Sequence, residues 1–245
     1  MEQMTKTILT ILAFFILIVI ILRVRKYMEL VKGSEIKIIA GKKDAKTPIK
    51  VSSTLLPQTR IGNEFTIDFW VYIRDWAYNF SQPKHIMHIG DEKGNKTSPG
   101  IWLYPKDNSL MVRFDTISSP ASTIMNPINN PALLNVRNEC DLMNVPLQRW
   151  NHIAITVVNK TLDIYLNGKL SRSCTLEDVP RVVPGDIYIN QFGGFDGDIS
   201  NISYTNKAIA ASKIYDKYYA GFDQESLLAI IKSFIPKIEV DFKYN

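Results

Sequence analysis

From Glu64 to Ile73 the chain alternates strictly: Phe65, Ile67, Phe69, Val71 and Ile73 fall on one side, Glu64, Thr66, Asp68, Trp70 and Tyr72 on the other. Successive side chains of a strand point to opposite faces, so this period fits a β-strand with one face in a core and does not fit a helix. The period returns at Leu110, Val112 and Phe114, at Ile153, Ile155 and Val157, at Leu162, Ile164 and Leu166, and briefly at Ile187 and Ile189. Asn167-Gly168 separates two of these runs and is the favoured type I′ hairpin dipeptide, because both central residues need positive φ. Asn159-Lys160 separates another pair. Residues 151–174 therefore read as a three-stranded antiparallel meander, and the pattern predicts an all-β sandwich. An α/β layered fold lacks the intervening helices it needs.

One segment obeys a different rule. Ile8 to Leu22 is 15 residues interrupted only by Thr10. At 1.5 Å per residue it rises about 22 Å, short of a hydrocarbon core of about 30 Å. Lys6, Arg23 and Arg25 have stems long enough to snorkel, and Tyr27 suits the interface. The segment reads as a single membrane anchor, with Ile8, Leu12, Phe14, Phe15, Ile18 and Leu22 in lipid and Lys6, Arg23, Arg25, Lys26 and Tyr27 at its borders. A cleaved signal would meet small residues where this run meets Arg23-Val24-Arg25-Lys26. The basic residues after the run place the C-terminal body on the cytoplasmic side. Four sequons, at Asn79, Asn95, Asn159 and Asn201, point the other way.

Charge follows the same division. The first 50 residues hold 10 Lys and Arg against 4 Asp and Glu, whereas the remainder holds 19 against 20. The folded body has no basic excess of the kind a nucleic-acid-binding face requires, and no nucleic acid is expected as a partner. Residues 1–32 thus form the anchor and basic flank, 33–62 a Lys-rich connector able to lend a strand or two, 63–221 the sandwich, and 222–245 an amphipathic helix and tail. In that last segment Leu227, Leu228, Ile231 and Phe234 share a helical face before Pro236. A further short helix is expected within Ala208–Ala220. Thr116 to Gln148, with four prolines, is long for a loop in a compact domain and is the candidate partner surface, with Asn126, Asn129, Asn130 and Arg137 as its polar contacts.

Three segments together resemble the laminin-G-like, concanavalin-A-like jelly-roll family: EFTIDFWVYI (Glu64–Ile73), WNHIAITVVNKTLDIYLNGKL (Trp150–Leu170) and FGGFDGDISNISYTNKAIAASKIYDKYYAG (Phe192–Gly221). The pieces PKHIMHIGD (Pro83–Asp91), SPGIWLYPKDNSLMVRFDT (Ser98–Thr116), NVPLQRWNHIAI (Asn144–Ile155) and NGKLSRSC (Asn167–Cys174) resemble the membrane-anchored version found in large nucleocytoplasmic DNA viruses. The resemblance covers residues 60–221 and implies a two-sheet antiparallel jelly roll in a virion-associated protein, with one N-terminal transmembrane helix and short C-terminal helices beside it. It fixes no ligand. Cys140 and Cys174 are the candidate disulfide. A cytoplasmic compartment argues against the bond, whereas viruses of this kind commonly make their own thiol oxidases.

Residues for chemistry are sparse. Glucanases of related fold carry Glu-x-Asp-x-x-Glu on one strand, but here Thr66 and Trp70 flank Asp68, and Glu64 stands about 13 Å away along the strand. Glu64 and Asp68 therefore read as surface groups. His85 and His88, three apart, are expected on opposite faces, and His152 as a satisfied core residue. Asp196 and Asp198 in a Gly-rich turn are few for calcium. Trp70, Trp76, Trp102 and Trp150 read as core rather than as a sugar platform. No catalytic set, metal or cofactor is expected. The expected function is structural: a minor capsid type of protein linking an internal membrane to the capsid shell through protein contacts. Its rival is an outward-displayed, glycan-binding attachment protein.

Overall fold

The computed structural model describes residues 2–32, 34–57, 63–135 and 140–222. The chain divides after Ser34 into two compact units. The first is one helix, α1 (Glu2–Lys32). Leu12, Phe14, Phe15, Ile18 and Leu22 are exposed along it, as are Lys6, Arg23 and Arg25, and it also carries Ile8, Lys26 and Tyr27. Among the described residues no helix is long and apolar enough to cross a membrane.

The second unit is a two-layer antiparallel sandwich. Its strands are β1 (Glu35–Asp44), β2 (Ile49–Val51), β3 (Glu64–Asp75), β4 (Lys84–Gly90), β5 (Thr97–Leu103), β6 (Leu110–Arg113), β7 (Trp150–Val158), β8 (Thr161–Leu166), β9 (Lys169–Thr175), β10 (Asp186–Ile189) and β11 (Asp196–Thr205). One sheet runs β1-β11-β3-β7-β8-β9, the other β2-β10-β4-β5-β6. The connector at 33–62 is therefore more than a stalk, since β1 and β2 supply one edge of each sheet. Short helices α2 (Ala132–Asn135) and α3 (Ala211–Ala220) complete the unit. The amphipathic helix expected after Asp223 lies outside the described residues.

The core is built from the alternating faces. Ile67, Phe69 and Val71 of β3 and Ile153 and Ile155 of β7 meet Met87, Ile101, Val112 and Ile187 of the opposite sheet. Each such buried side chain contributes about 1.5 to 3 kcal/mol of apolar transfer. The meander forms at 150–175, with Asn167 and Gly168 both at positive φ. The Asn167 side chain accepts from the His152 amide at 2.9 Å, which ties the turn back to β7. A Cβ on Gly168 would stand 3.1 Å from atoms of Tyr215 and Tyr218, so both turn geometry and the approach of α3 require glycine there.

Period two fails on β3 in one informative respect. Thr66, Asp68 and Trp70, on the face expected to meet solvent, are buried. The cover is α3: Ile214 packs on Ala154 and Tyr165, and Tyr218 stacks on Trp70 at 5.9 Å.

Candidate functional site

The outer face of the five-stranded sheet is roofed by the 116–148 loop. Leu134 of α2 packs on Trp102, Tyr104 and Met111. Three consecutive residues then pin the end of the loop by different means. Cys140 is bonded to Cys174 of β9, with Cα atoms 5.6 Å apart, which ties the loop beside β6 to the edge of the other sheet. Asp141 accepts from Arg113 Nη1 at 2.5 Å and Nη2 at 3.2 Å, and from the Tyr104 hydroxyl at 2.6 Å. Leu142 bridges Leu110 through two backbone hydrogen bonds. Burial, reinforced by the Asp141 carboxylate, pushes the Tyr104 hydroxyl up to about 12.

This roof changes the roles of the expected partner residues. Asn126 is buried, and its side chain is spent on Lys93 O and the Ile128 amide, so it holds the loop and cannot meet a partner. Asn129 is exposed and bonded to Asn95 Oδ1, and Asn130 is half-buried and bonded to Ile124 O. Arg137 lies outside the described residues. The loop also exposes apolar side chains, Ile117 and Ile128, beside polar ones such as Ser118 and Asn129.

Beneath the roof, His85 and His88 share one face. A register shift between His85 and Met87 against β5 inserts one extra residue, and this bulge reverses the parity that spacing alone implies. Their hydrogen bonds fix both tautomers. The Gln191 amide donates to His85 Nδ1 at 3.0 Å, His85 Nε2 donates to His88 Nδ1 at 2.7 Å, and His88 Nε2 donates to Asp91 O at 2.8 Å. The relay is packed among Trp102, Tyr188 and Phe192. Desolvation holds both imidazoles below their ordinary range, that of His85 well below it. Below pH 6.5 the unfolded imidazoles take protons that the folded ones refuse, so stability is full above that pH and falls beneath it. The expected loss is about 1.4 kcal/mol per pH unit for each histidine until the folded values are reached. Denaturant titrations at pH 7.5, 6.5 and 5.5 check this. A curve flat across that range contradicts a relay closed to protons.

On the six-stranded sheet, Asp68 is a buried anion, not a surface group. Lys217 of α3 donates to its Oδ1 at 2.5 Å and to Glu35 Oε1 at 2.6 Å, while Glu64 is half-buried. His152 is also not the satisfied residue expected. Neither ring nitrogen has a hydrogen-bond partner among the described residues; Nε2 stands 3.6 Å from Asp68 Oδ2, and the ring packs on Trp70 at 5.1 Å. Asp196 and Asp198 are claimed by cations of the chain itself. Arg74 bridges both at 3.0 Å, Lys46 reaches Asp196 at 2.7 Å and Lys42 reaches Asp198 at 3.2 Å. Among the described residues no group of three acidic, histidine or cysteine side chains could hold a metal. The four indoles are covered: Trp70 and Trp102 are buried, Trp76 lies under Lys84 Nζ, and Trp150 stacks on Phe222 at 4.4 Å.

A cleft of about 260 Å³ opens at the end of the sandwich where β3 begins and β11 ends. Phe65 and Tyr204, stacked at 5.8 Å, line it together with Ile89 and the Pro180–Gly185 segment. Neither the spacing nor the charge of the sequence pointed to it, because its walls come from six separate stretches of chain.

A family model described as the concanavalin A-like lectin/glucanases superfamily (Laminin_G_3) matches residues 44–215. Among solved structures, the botulinum neurotoxin serotype G binding domain is similar with a TM-score of 0.51 at 14% identity, over 76% of this chain and 42% of that one. The receptor binding domain of the botulinum neurotoxin C/D mosaic serotype gives 0.50 at 16% identity, over 76% and 42%. The chain thus spans less than half the length of these structures, and at such identity the likeness is one of fold. No curated protein matches the sequence.

Proposed function

The chain belongs to the concanavalin A-like lectin/glucanases superfamily, and from that premise we propose that it is a non-catalytic, membrane-anchored structural protein of a virion. Its sandwich recognises neighbouring proteins. The observation that carries the reading is α1, whose side chains from Ile11 to Leu22 present an exposed apolar surface followed by exposed Arg23 and Arg25. Such a surface has a favourable home in lipid, and the basic side chains extend the reach of a short run by snorkelling. The sandwich then stands on the cytoplasm-derived side, between an internal membrane and the capsid shell. Weak contacts suffice there, because copies tethered in one bilayer act together. The carboxylates are consistent with recognition, since Asp68, Asp141, Asp196 and Asp198 each face a cation of the chain and not an open groove.

A second reading, an outward-displayed receptor- or glycan-binding module, is favoured by the binding-domain folds it resembles and by the exposed rings of Phe80 and Tyr219. Of its four sequons Asn79 and Asn159 are exposed, whereas the Asn201 side chain is spent on Phe222 O. Protease treatment of sealed microsomes carrying the full chain separates the two. Digestion of the sandwich supports the first reading; protection with sugar on Asn79 or Asn159 overturns it.

A further inference from the structure

The geometry points to a ligand site in the cleft at the β3–β11 end, for an uncharged, ring-sized apolar molecule carrying one hydrogen-bond acceptor. The argument begins with size. An apolar cavity of 150 Å³ accepts benzene, so about 260 Å³ takes a ring with a small substituent. The walls are stiff and poor in donors, because Pro57, Pro99, Pro180 and Pro184 all line the cleft and proline has a fixed φ and no N–H. The cleft is therefore stiff at these four positions, and the prolines there offer a ligand no backbone N–H.

Two of the polar side chains at its rim are turned to the chain itself. The Asn63 amide donates to Pro180 O at 2.7 Å. Arg181 donates through Nε and Nη2 to the carbonyls of Thr116, Ile117 and Ser119 and lies 3.7 Å from the Asp115 carboxylate, so its charge faces an opposite one. The floor is different. Tyr204 is 7% exposed, stacks on Phe65, and its hydroxyl hydrogen-bonds no described residue. Burial pushes that hydroxyl up to about 12, so it keeps its proton and donates. This donor, set beside the Phe65 ring and Ile89, selects a ligand that brings an acceptor to it. A hexose matches poorly, because most of its hydroxyls would be buried without partners.

The test uses the full chain in lipid nanodiscs, read at the Ile89 methyl resonance, with the Ile214 methyl as a remote reference for partitioning into lipid. The probes are acetophenone, ethylbenzene and glucose. The expected result is a saturable shift at Ile89 with acetophenone binding about three- to tenfold tighter than ethylbenzene, the ratio a single hydrogen bond provides. In Tyr204→Phe, which keeps the stack on Phe65, that preference disappears while ethylbenzene still binds. The inference is overturned by no saturable shift with any probe, by a preference that survives in Tyr204→Phe, or by glucose as the tightest ligand. Because the site is read in the sandwich itself, these outcomes are independent of which side of a membrane it occupies.

Discussion

Replacing Arg113 with methionine is expected to destabilise the sandwich by about 3 to 5 kcal/mol. Asp141, its side chain 1% exposed, would lose the opposite charge and the two hydrogen bonds that the guanidinium donates to it. The loss exceeds that of an exposed pair, for which about 1 kcal/mol is an upper expectation, because no water replaces the missing cation. In a chain of this size the shift is about 10 °C in the melting temperature. Arg113→Met/Asp141→Leu is expected to recover most of the loss, since it removes both members of the pair. Calorimetry of the single and double variants measures it, and a single variant within 1 kcal/mol of the parent contradicts the buried pair.

Breaking the Cys140–Cys174 bond is expected to cost about 3 to 4 kcal/mol, the loop-closure entropy of a 34-residue separation. The bond does more than shorten the unfolded chain. It fastens the loop that roofs one sheet to the edge strand of the other, beside Asp141 and Leu142. Because Cys140 and Cys174 are both buried, reductant is expected to act slowly on the folded protein and quickly in mild denaturant. Cys140→Ser/Cys174→Ser, compared with the parent in urea, gives the magnitude. Two alkylatable thiols in protein purified without reductant and then denatured would remove the bond from the account. The effects of Arg113 and of the disulfide are not expected to add simply, since both act on residues 140–142.

These two predictions concern contacts that no spacing rule displays. Arg113 lies one residue beyond Val112 and ought to face water. It is buried because Asp141, 28 residues later, is folded over it. Strands β4 and β11 likewise escaped the period-two reading, although their segments entered through family resemblance. Each carries a register shift, β4 after His85 and β11 after Ser200, where Asn201 takes φ 48°. A bulge moves every later residue to the other face, and whether one forms depends on the partner strand.

By itself the sequence determined what is local: the alternating faces of β3, β7 and β8, the Asn167-Gly168 turn, and an apolar helical run ahead of them. Each follows from backbone geometry acting over a few residues. The tertiary structure alone decided which second faces are covered, that Asp68 and Asp141 are buried anions, that two histidines meet across a bulge, and that a cleft remains beside Tyr204. Those outcomes depend on which distant segment comes to lie on which face, and a free energy shared between two segments leaves no period in either.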